Sequence, residues 1–324
     1  MIHLRSTTYT EPAATRQAAD LWTEPAALPQ QVENGAGWLG GFVRATIQTV
    51  SPSAVREFFS ELDANDPLLS RLGWTLMLVV PVFAAMALFA PGVAQSVSPI
   101  NPWVKPIKFS LSFSTFASTM SLVLLALQIP RWQLNLARRA MAVSIALEIF
   151  SLGAQAWRST YPQAGHPLMD GALAQLTNGM VMVNTAIVCW MFGLFCANRV
   201  RTSLVDGPMV SAIRYSMVIF LAGNAIGGYM LARGSHTVGT KDGGPGLLFV
   251  NWSTIAGDLR IAHFIAIHAI QIVPLFAYIL SQMTPIPAVK QRRMAIAALA
   301  IAVTVAVGGT FVQAALGHPL LSLH

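Results

Sequence analysis

An all-α, polytopic membrane bundle of about seven transmembrane helices is the fold class this sequence predicts, and three observations predict it. Hydrophobic residues make up 54% and charged residues only 10% of the 324-residue chain, and the mean hydropathy is +0.58, too apolar for an ordinary soluble domain. Seven stretches reach the roughly 20 apolar residues that a hydrocarbon core demands: roughly 72–94, 107–128, 139–158, 168–197, 211–232, 258–281 and 294–316. None alternates with the period of two that a transmembrane strand needs, so the spans are helical.

Residues 1–70 read as a cytoplasmic tail and 71–324 as the seven-helix domain. TEPAA occurs twice, at 10–14 and 23–27, in a polar, Ala- and Pro-rich stretch with too little apolar surface to offset the entropy of ordering, so disorder is expected to about residue 40. Near 52–64, SPSAVREFFSELD predicts a short amphipathic helix with a Ser cap and with Phe58 and Phe59 on one side, lying on the membrane surface. No charged n-region followed by an apolar h-region opens the chain, so no cleaved signal peptide is expected.

Each span adds its own detail. The second opens NPWVKPIKFSLSFSTFASTMS, whose seven hydroxyls between Ser110 and Ser121 are too many for one face and suit helix packing. The third carries Ser144, Glu148, Ser151, Gln155 and Arg158, a polar stripe inside an apolar segment. On the fourth, Asp170, Thr177 and Asn184 repeat at sevens with Asn178 and Thr185 beside them. Its two cysteines, Cys189 and Cys196, exclude a disulfide framework and a CxxC motif and are read as packing residues. The fifth pairs Asn224 with Gly223 and Gly227, a small-xxx-small pattern for close helix approach.

A Gly-rich segment, 233–257, follows and is read as a folded outer lid, its glycines permitting tight turns and Phe249 and Trp252 suiting the interface. A phosphate cradle is excluded, since neither GxxxxGK[ST] nor a preceding strand is present. The sixth span begins GDLRIAHFIAIHAIQ, in which Arg260, His263, His268 and Gln271 fall within an arc of about 140°. Its Pro274 frees the carbonyl of Ile270, which needs other polar groups nearby.

Charge sets the expected orientation. The net charge of +7 does not gather in one basic domain, which argues against nucleic acid as a partner. Nine Lys and Arg residues lie after the second, fourth and sixth spans against six on the other side, placing the N-terminus inside and the C-terminus outside. Counting 1.5 Å per residue from the outer ends puts His263 roughly 7 Å deep and His268 and Glu148 roughly 15 Å deep, with Asn178 and Asn224 nearly level. A charge at such depth costs about 2.5–3.5 kcal/mol, so these groups are expected to face a shared chamber in the outer half rather than lipid.

Three functions fit that chamber. The first is a redox protein holding haem or a transition metal, with a small molecule or an electron-transfer partner. His268 and His263 are then the metal-ligand candidates, His236 a further cofactor-binding one, and Glu148, Arg260, Gln271, Asn178, Asn224 and Asp170 the supporting groups or proton path. His263 and His268 are five apart and point about 140° away from each other, and HExxH is absent. Ligands must therefore come from different elements, such as His268 with Glu148, or His263 with His236 or His318. The second is a proton-coupled small-molecule transporter in which Glu148 and His268 titrate and Asn178 and Asn224 bind solute; the lack of an internal repeat counts against it. The third is a non-catalytic assembly or sensor protein. No residue is singled out as catalytic.

The strings NPWVKPIKF, SHTVG, DGGPG, NWST, GDLR and AHF, followed by His and Gln, resemble a group of uncharacterised bacterial polytopic integral membrane proteins. The resemblance covers the seven-helix part and excludes the tail. It implies a multi-pass protein of the bacterial inner membrane, in contact with the lipid bilayer, and brings no activity with it.

Overall fold

A computed structural model describes residues 35–49, 51–89, 101–160, 167–247 and 249–322. Among the described residues, two short helices, α1 (Gly35–Thr49) and α2 (Pro52–Asn65), precede seven long ones: α3 (Pro67–Phe89), α4 (Val104–Leu125), α5 (Arg131–Thr160), α6 (Pro167–Cys196), α7 (Gly207–Arg233), α8 (Leu259–Ser281) and α9 (Val289–Ala315). All seven are long and apolar enough to cross a membrane; the chain is a multi-pass integral membrane protein of all-α class. Between α7 and α8 two short strands, β1 (Thr237–Val238) and β2 (Gly257–Asp258), pair antiparallel.

The TEPAA repeats, the part before residue 35 of the disorder expected to about residue 40, the end of the first expected span at 90–94 and the Phe58 side chain lie outside the described residues. From residue 35 the chain is helical, which the sequence reading did not anticipate. GAGWLGGFVRATIQT is glycine-rich and a weak helix former, so α1 owes its form to docking on α8, where Phe42 and Phe276 rings lie 5.5 Å apart. Helix α2 starts where expected: the Ser51 hydroxyl accepts from Ala54 N, with Pro52 in the first turn. It packs on α3, with the rings of Phe59 and Trp74 at 4.6 Å.

Several helices extend past the apolar stretches that mark them. Helix α5 begins at Arg131 rather than near 139 because RWQLNLARR, although polar, continues the helix beyond its apolar window. Local caps fix other starts: Asp66 accepts from Leu69 N for α3 and Asp206 from Met209 N for α7. Gly234, at φ 64°, ends α7 in the left-handed conformation.

Helices α4, α5, α6, α7 and α8 form a ring of neighbours, closed by contact between α8 and α4, with α3 against α4 and α9 against α7 and α8. The hydroxyl-rich α4 packs as expected on α3, where Ser114 donates to the Gly73 carbonyl at 2.8 Å. The apolar core fills the half of the bundle away from the 234–258 segment, around Met120, Leu124, Met141, Ile145, Phe195 and Ile213. At that end, arginines tie the turns together: Arg138 to Asp66 at 2.7 Å, Arg292 to Asp206 at 2.8 Å and Arg201 to the Leu127 carbonyl at 3.1 Å. The cysteines are a correction. Cys189 and Cys196 are exposed rather than packed, because the contact face of α6 is formed by Asn184, Val188, Met191 and Phe195 instead.

Candidate functional site

The polar stripe of α5 meets that of α6 in a layered seam. The Ser144 hydroxyl donates to Asn184 Oδ1 at 3.0 Å. Further along, Ser151 donates to the Leu173 carbonyl at 2.7 Å and accepts from Thr177 at 2.9 Å, while Gln155 donates to both hydroxyls. Arg158 and Asp170 close the seam as an ion pair. Glu148 sits between the first and second of these layers and differs from all of them. It is fully buried, and neither carboxyl oxygen has a donor. The charge that acts on it is the ammonium of Lys105 on α4. One turn away, Nδ2 of Asn184 is a buried donor without an acceptor.

Polar contacts run on around the ring. Thr185 of α6 donates to Asn224 Oδ1 of α7 at 3.0 Å, and the Asn224 amide donates to the Phe220 carbonyl. The His263 ring of α8 places Nδ1 2.8 Å from the Gly223 carbonyl of α7, which makes that nitrogen the donor. His268 of α8 places Nε2 3.1 Å from the Ser112 hydroxyl of α4. Four of the five neighbouring pairs in the ring, α5–α6, α6–α7, α7–α8 and α8–α4, are thus joined by side-chain hydrogen bonds.

The 234–258 segment folds over this end. Buried Asp258 caps α8 and binds Arg260 through both oxygens, at 2.9 and 2.6 Å, while also accepting from Ser253 N. Arg260 reaches on to the Asn251 carbonyl. Lys108 of α4 donates to the adjacent Val250 carbonyl at 3.3 Å, so two cations from two helices hold successive carbonyls. Gly257 has no substitute, since a Cβ there would stand 2.0 Å from the Ala314 carbonyl oxygen. Trp252, Phe264 and His268 form an aromatic ladder inward, with centroids 5.7 and then 4.4 Å apart.

At the start of the segment Asp242 accepts from Ser235, from the amides of His236 and Thr237, and from the Thr237 hydroxyl. Burial pushes its carboxyl up, but these donors outweigh it and hold the group at about 2. His236 lies 3.5 Å from Asp242 and 4.0 Å from Asp258. Burial, with Arg260 nearby, keeps its imidazole below the ordinary histidine value against the pull of the two carboxylates.

The expected residues therefore divide. Glu148, Asn224, His263 and His268 take part in the ring, and Gln271 lies beside His268. Asn178 is half-buried, but the residue bonded to Asn224 is Thr185, seven positions further along. Helix α6 has 30 residues, longer than a crossing requires, so depth counted from its end is displaced. Arg260 turns toward the 234–258 segment rather than into the bundle, and Asp170 is tied to Arg158 at the rim. No hydrogen bond or ion pair joins Glu148 to His268, and His236 is engaged by the segment's own carboxylates. Among the described residues no three His, Cys, Asp or Glu side chains approach as a metal-binding set. The sequence reading missed the lysines of NPWVKPIKF, which it counted only as topology charges. Their three-residue spacing, which puts both on one side of a helix start, was the available signal. Compared with family models, curated proteins and solved structures, the chain matches none.

Proposed function

We propose that this chain is a proton-coupled carrier of a small solute in the bacterial inner membrane, with Glu148 as the group that takes up and releases the proton. One observation carries the reading: the Glu148 carboxyl is buried without a donor in a seam whose neighbouring layers are hydrogen-bonded. A buried polar group left unsatisfied costs about 1–3 kcal/mol, and a carboxyl serving only as packing glue has no reason to carry that cost. Ionisable groups inside membranes are, by default, functional candidates. A proton arriving at Glu148 neutralises it; a proton leaving restores a charge that Lys105 attracts.

In this reading the 234–258 segment is the outward-facing lid and the N-terminus lies in the cytoplasm, as the nine-to-six distribution of basic residues supports. Asn178, Asn224 and His268 line the solute path, and the apolar half of the bundle forms the barrier. A haem or metal centre has less support, because His263 and His268 turn to different helices, toward Gly223 and Ser112.

The test uses protein reconstituted into liposomes that contain a pH-sensitive dye, with acid outside. Phosphate, succinate, acetate, glycine and glucose are added in turn. At least one should accelerate proton entry, and Glu148→Gln should abolish that acceleration while Glu148→Asp keeps part of it. Acceleration unchanged by Glu148→Gln, or a Soret band in the purified protein that disappears with His268→Ala, overturns the reading.

A further inference from the structure

Lys105 and Lys108 stand one turn apart at the start of α4, where the helix macrodipole is already positive. Neither makes an ion pair with a described carboxylate. Lys105 lies over the Phe109 ring at 5.8 Å, and Lys108 donates to the neutral Val250 carbonyl at 3.3 Å. Arg260 and Lys105 both repel Lys108, and the acid that attracts it is Asp258. Both oxygens of Asp258 are already engaged by Arg260 and by main-chain amides. Lys108 and Arg260 therefore share one committed carboxylate at the mouth of the ring, with Lys105 one turn before Lys108.

We infer that Lys105 and Lys108 bind a small free oxyanion, a carboxylate or a phosphate, beneath the 249–251 turn. The inference rests on the carrier reading and gives its solute a chemical class. An ammonium has three donors, and its hydrogen bonds to an anionic oxygen are roughly twice as strong as those to a neutral one. The Val250 carbonyl is thus a weak partner that an oxyanion displaces. Phe249 and Asn251, on either side of it, have φ of 66° and 57°, a region uncommon for residues with a Cβ. Strained backbone of this kind gathers at clamps and switch segments, and here it bounds the turn that the anion would lift.

Lys105 links this site to the proton. While Glu148 is ionised it competes for the Lys105 ammonium; once protonated it releases that ammonium to the anion. Proton and anion then move together with their charges offset. Lys105 is exposed, but a lipid headgroup suits Lys108 poorly, because its half-buried ammonium is held beneath the Val250 carbonyl of the 234–258 segment.

Purified full-length protein in phosphatidylcholine nanodiscs is titrated with inorganic phosphate and, separately, with succinate, against chloride at matched ionic strength, reading tryptophan fluorescence near Trp252. At least one anion should saturate the signal. Lys108→Gln and Lys105→Gln should each weaken binding at least tenfold, while Lys108→Arg should keep most of it. Amine acylation of the wild type, read by mass spectrometry, covers the case of a variant that does not fold: the bound anion should protect Lys105 and Lys108 but not Lys241 or Lys290. No saturation with either anion, undiminished binding in the double Gln variant, equal acylation of all four lysines, or binding only in discs containing phosphatidylglycerol overturns the inference. The Glu148→Gln protein separates the two proposals. If it binds anion but shows no coupled entry, both stand; if it binds and still couples, Glu148 is not the proton-binding group and that part of the carrier reading falls while the site remains.

Discussion

The His263 ring lies close against Gly227, so that a methyl group would have to push it aside: a Cβ at 227 would stand 3.0 Å from Cε1 and 3.2 Å from Nδ1 of the imidazole. That contact holds Nδ1 on the Gly223 carbonyl. Gly223 itself is tighter, since a Cβ there would meet the Ala266 Cβ at 2.7 Å and the Ile267 amide nitrogen at 3.1 Å, main chain that cannot turn aside. Gly223→Ala should therefore force α7 and α8 apart and cost about 1–3 kcal/mol, the usual range for overpacking. Gly227→Ala should cost less, because a ring can tilt. Thermal unfolding in one detergent checks the order, and equal midpoints for the two variants would show that the close approach is not limiting.

Glu148 gives the opposite sign. Its carboxyl has no donor to lose, so Glu148→Leu, of similar bulk, removes an unsatisfied group and should raise stability by about 1–3 kcal/mol while abolishing coupled proton entry. A site kept for function at the expense of stability predicts that divergence. A several-degree fall in the thermal midpoint of Glu148→Leu would instead make the residue structural.

Much of this was legible in the sequence, and the reason differs by feature. The seven helices follow from apolar length alone, and the stripe of Ser144, Glu148, Ser151 and Gln155 correctly marked one face of α5, because a 3.6-residue period survives translation into three dimensions. Pairing did not survive as well. Asn224 meets Thr185 rather than Asn178 because register between two helices depends on where each begins relative to the bilayer, which composition does not encode. Arg260 was placed inside the bundle by its angle on α8, yet its guanidinium is captured by Asp258 two residues away. A local ion pair with main-chain support outcompetes helical phase. Helix α1 stayed hidden because its glycine-rich sequence is a weak helix former, and the contacts with α8 and α2 that favour its helix are not visible in a local pattern.

At the opposite end of the bundle, Asp66 is 1% exposed, caps α3 and pairs with Arg138 of α5 at 2.7 Å. Removing one member of a buried pair strands the other, at about 3–5 kcal/mol. Asp66→Ala should lower the thermal midpoint accordingly, and Asp66→Leu with Arg138→Met should recover most of the loss, since neither charge is then left alone. If the double variant is no more stable than Asp66→Ala, the cap to Leu69 rather than the ion pair is the source of the stability.

Acid should loosen the 234–258 segment in two stages. His236 is held below its ordinary value of 6.5, by burial first and then by Arg260, with Asp242 and Asp258 opposing. The unfolded segment therefore binds this proton before the folded one does, so stability is complete above that value and declines as pH falls below it. Asp242, held at about 2 against an ordinary 3.8, contributes above the ordinary value and loses its contribution as pH falls through about 2. Hydrogen exchange of the 235–242 amides, corrected for intrinsic rates, should accordingly be flat above neutrality and quicken below pH 6.5. His236→Asn should flatten the first stage and leave the second. At neutral pH, Asp242→Asn should speed exchange at the His236 and Thr237 amides by about tenfold, a modest figure for a charged acceptor because the carboxylate is partly solvent-screened. Protection that does not change between pH 7 and 4 in the wild type would mean that His236 does not govern the closure of this segment, and protection that persists through pH 2 would exclude Asp242 as well.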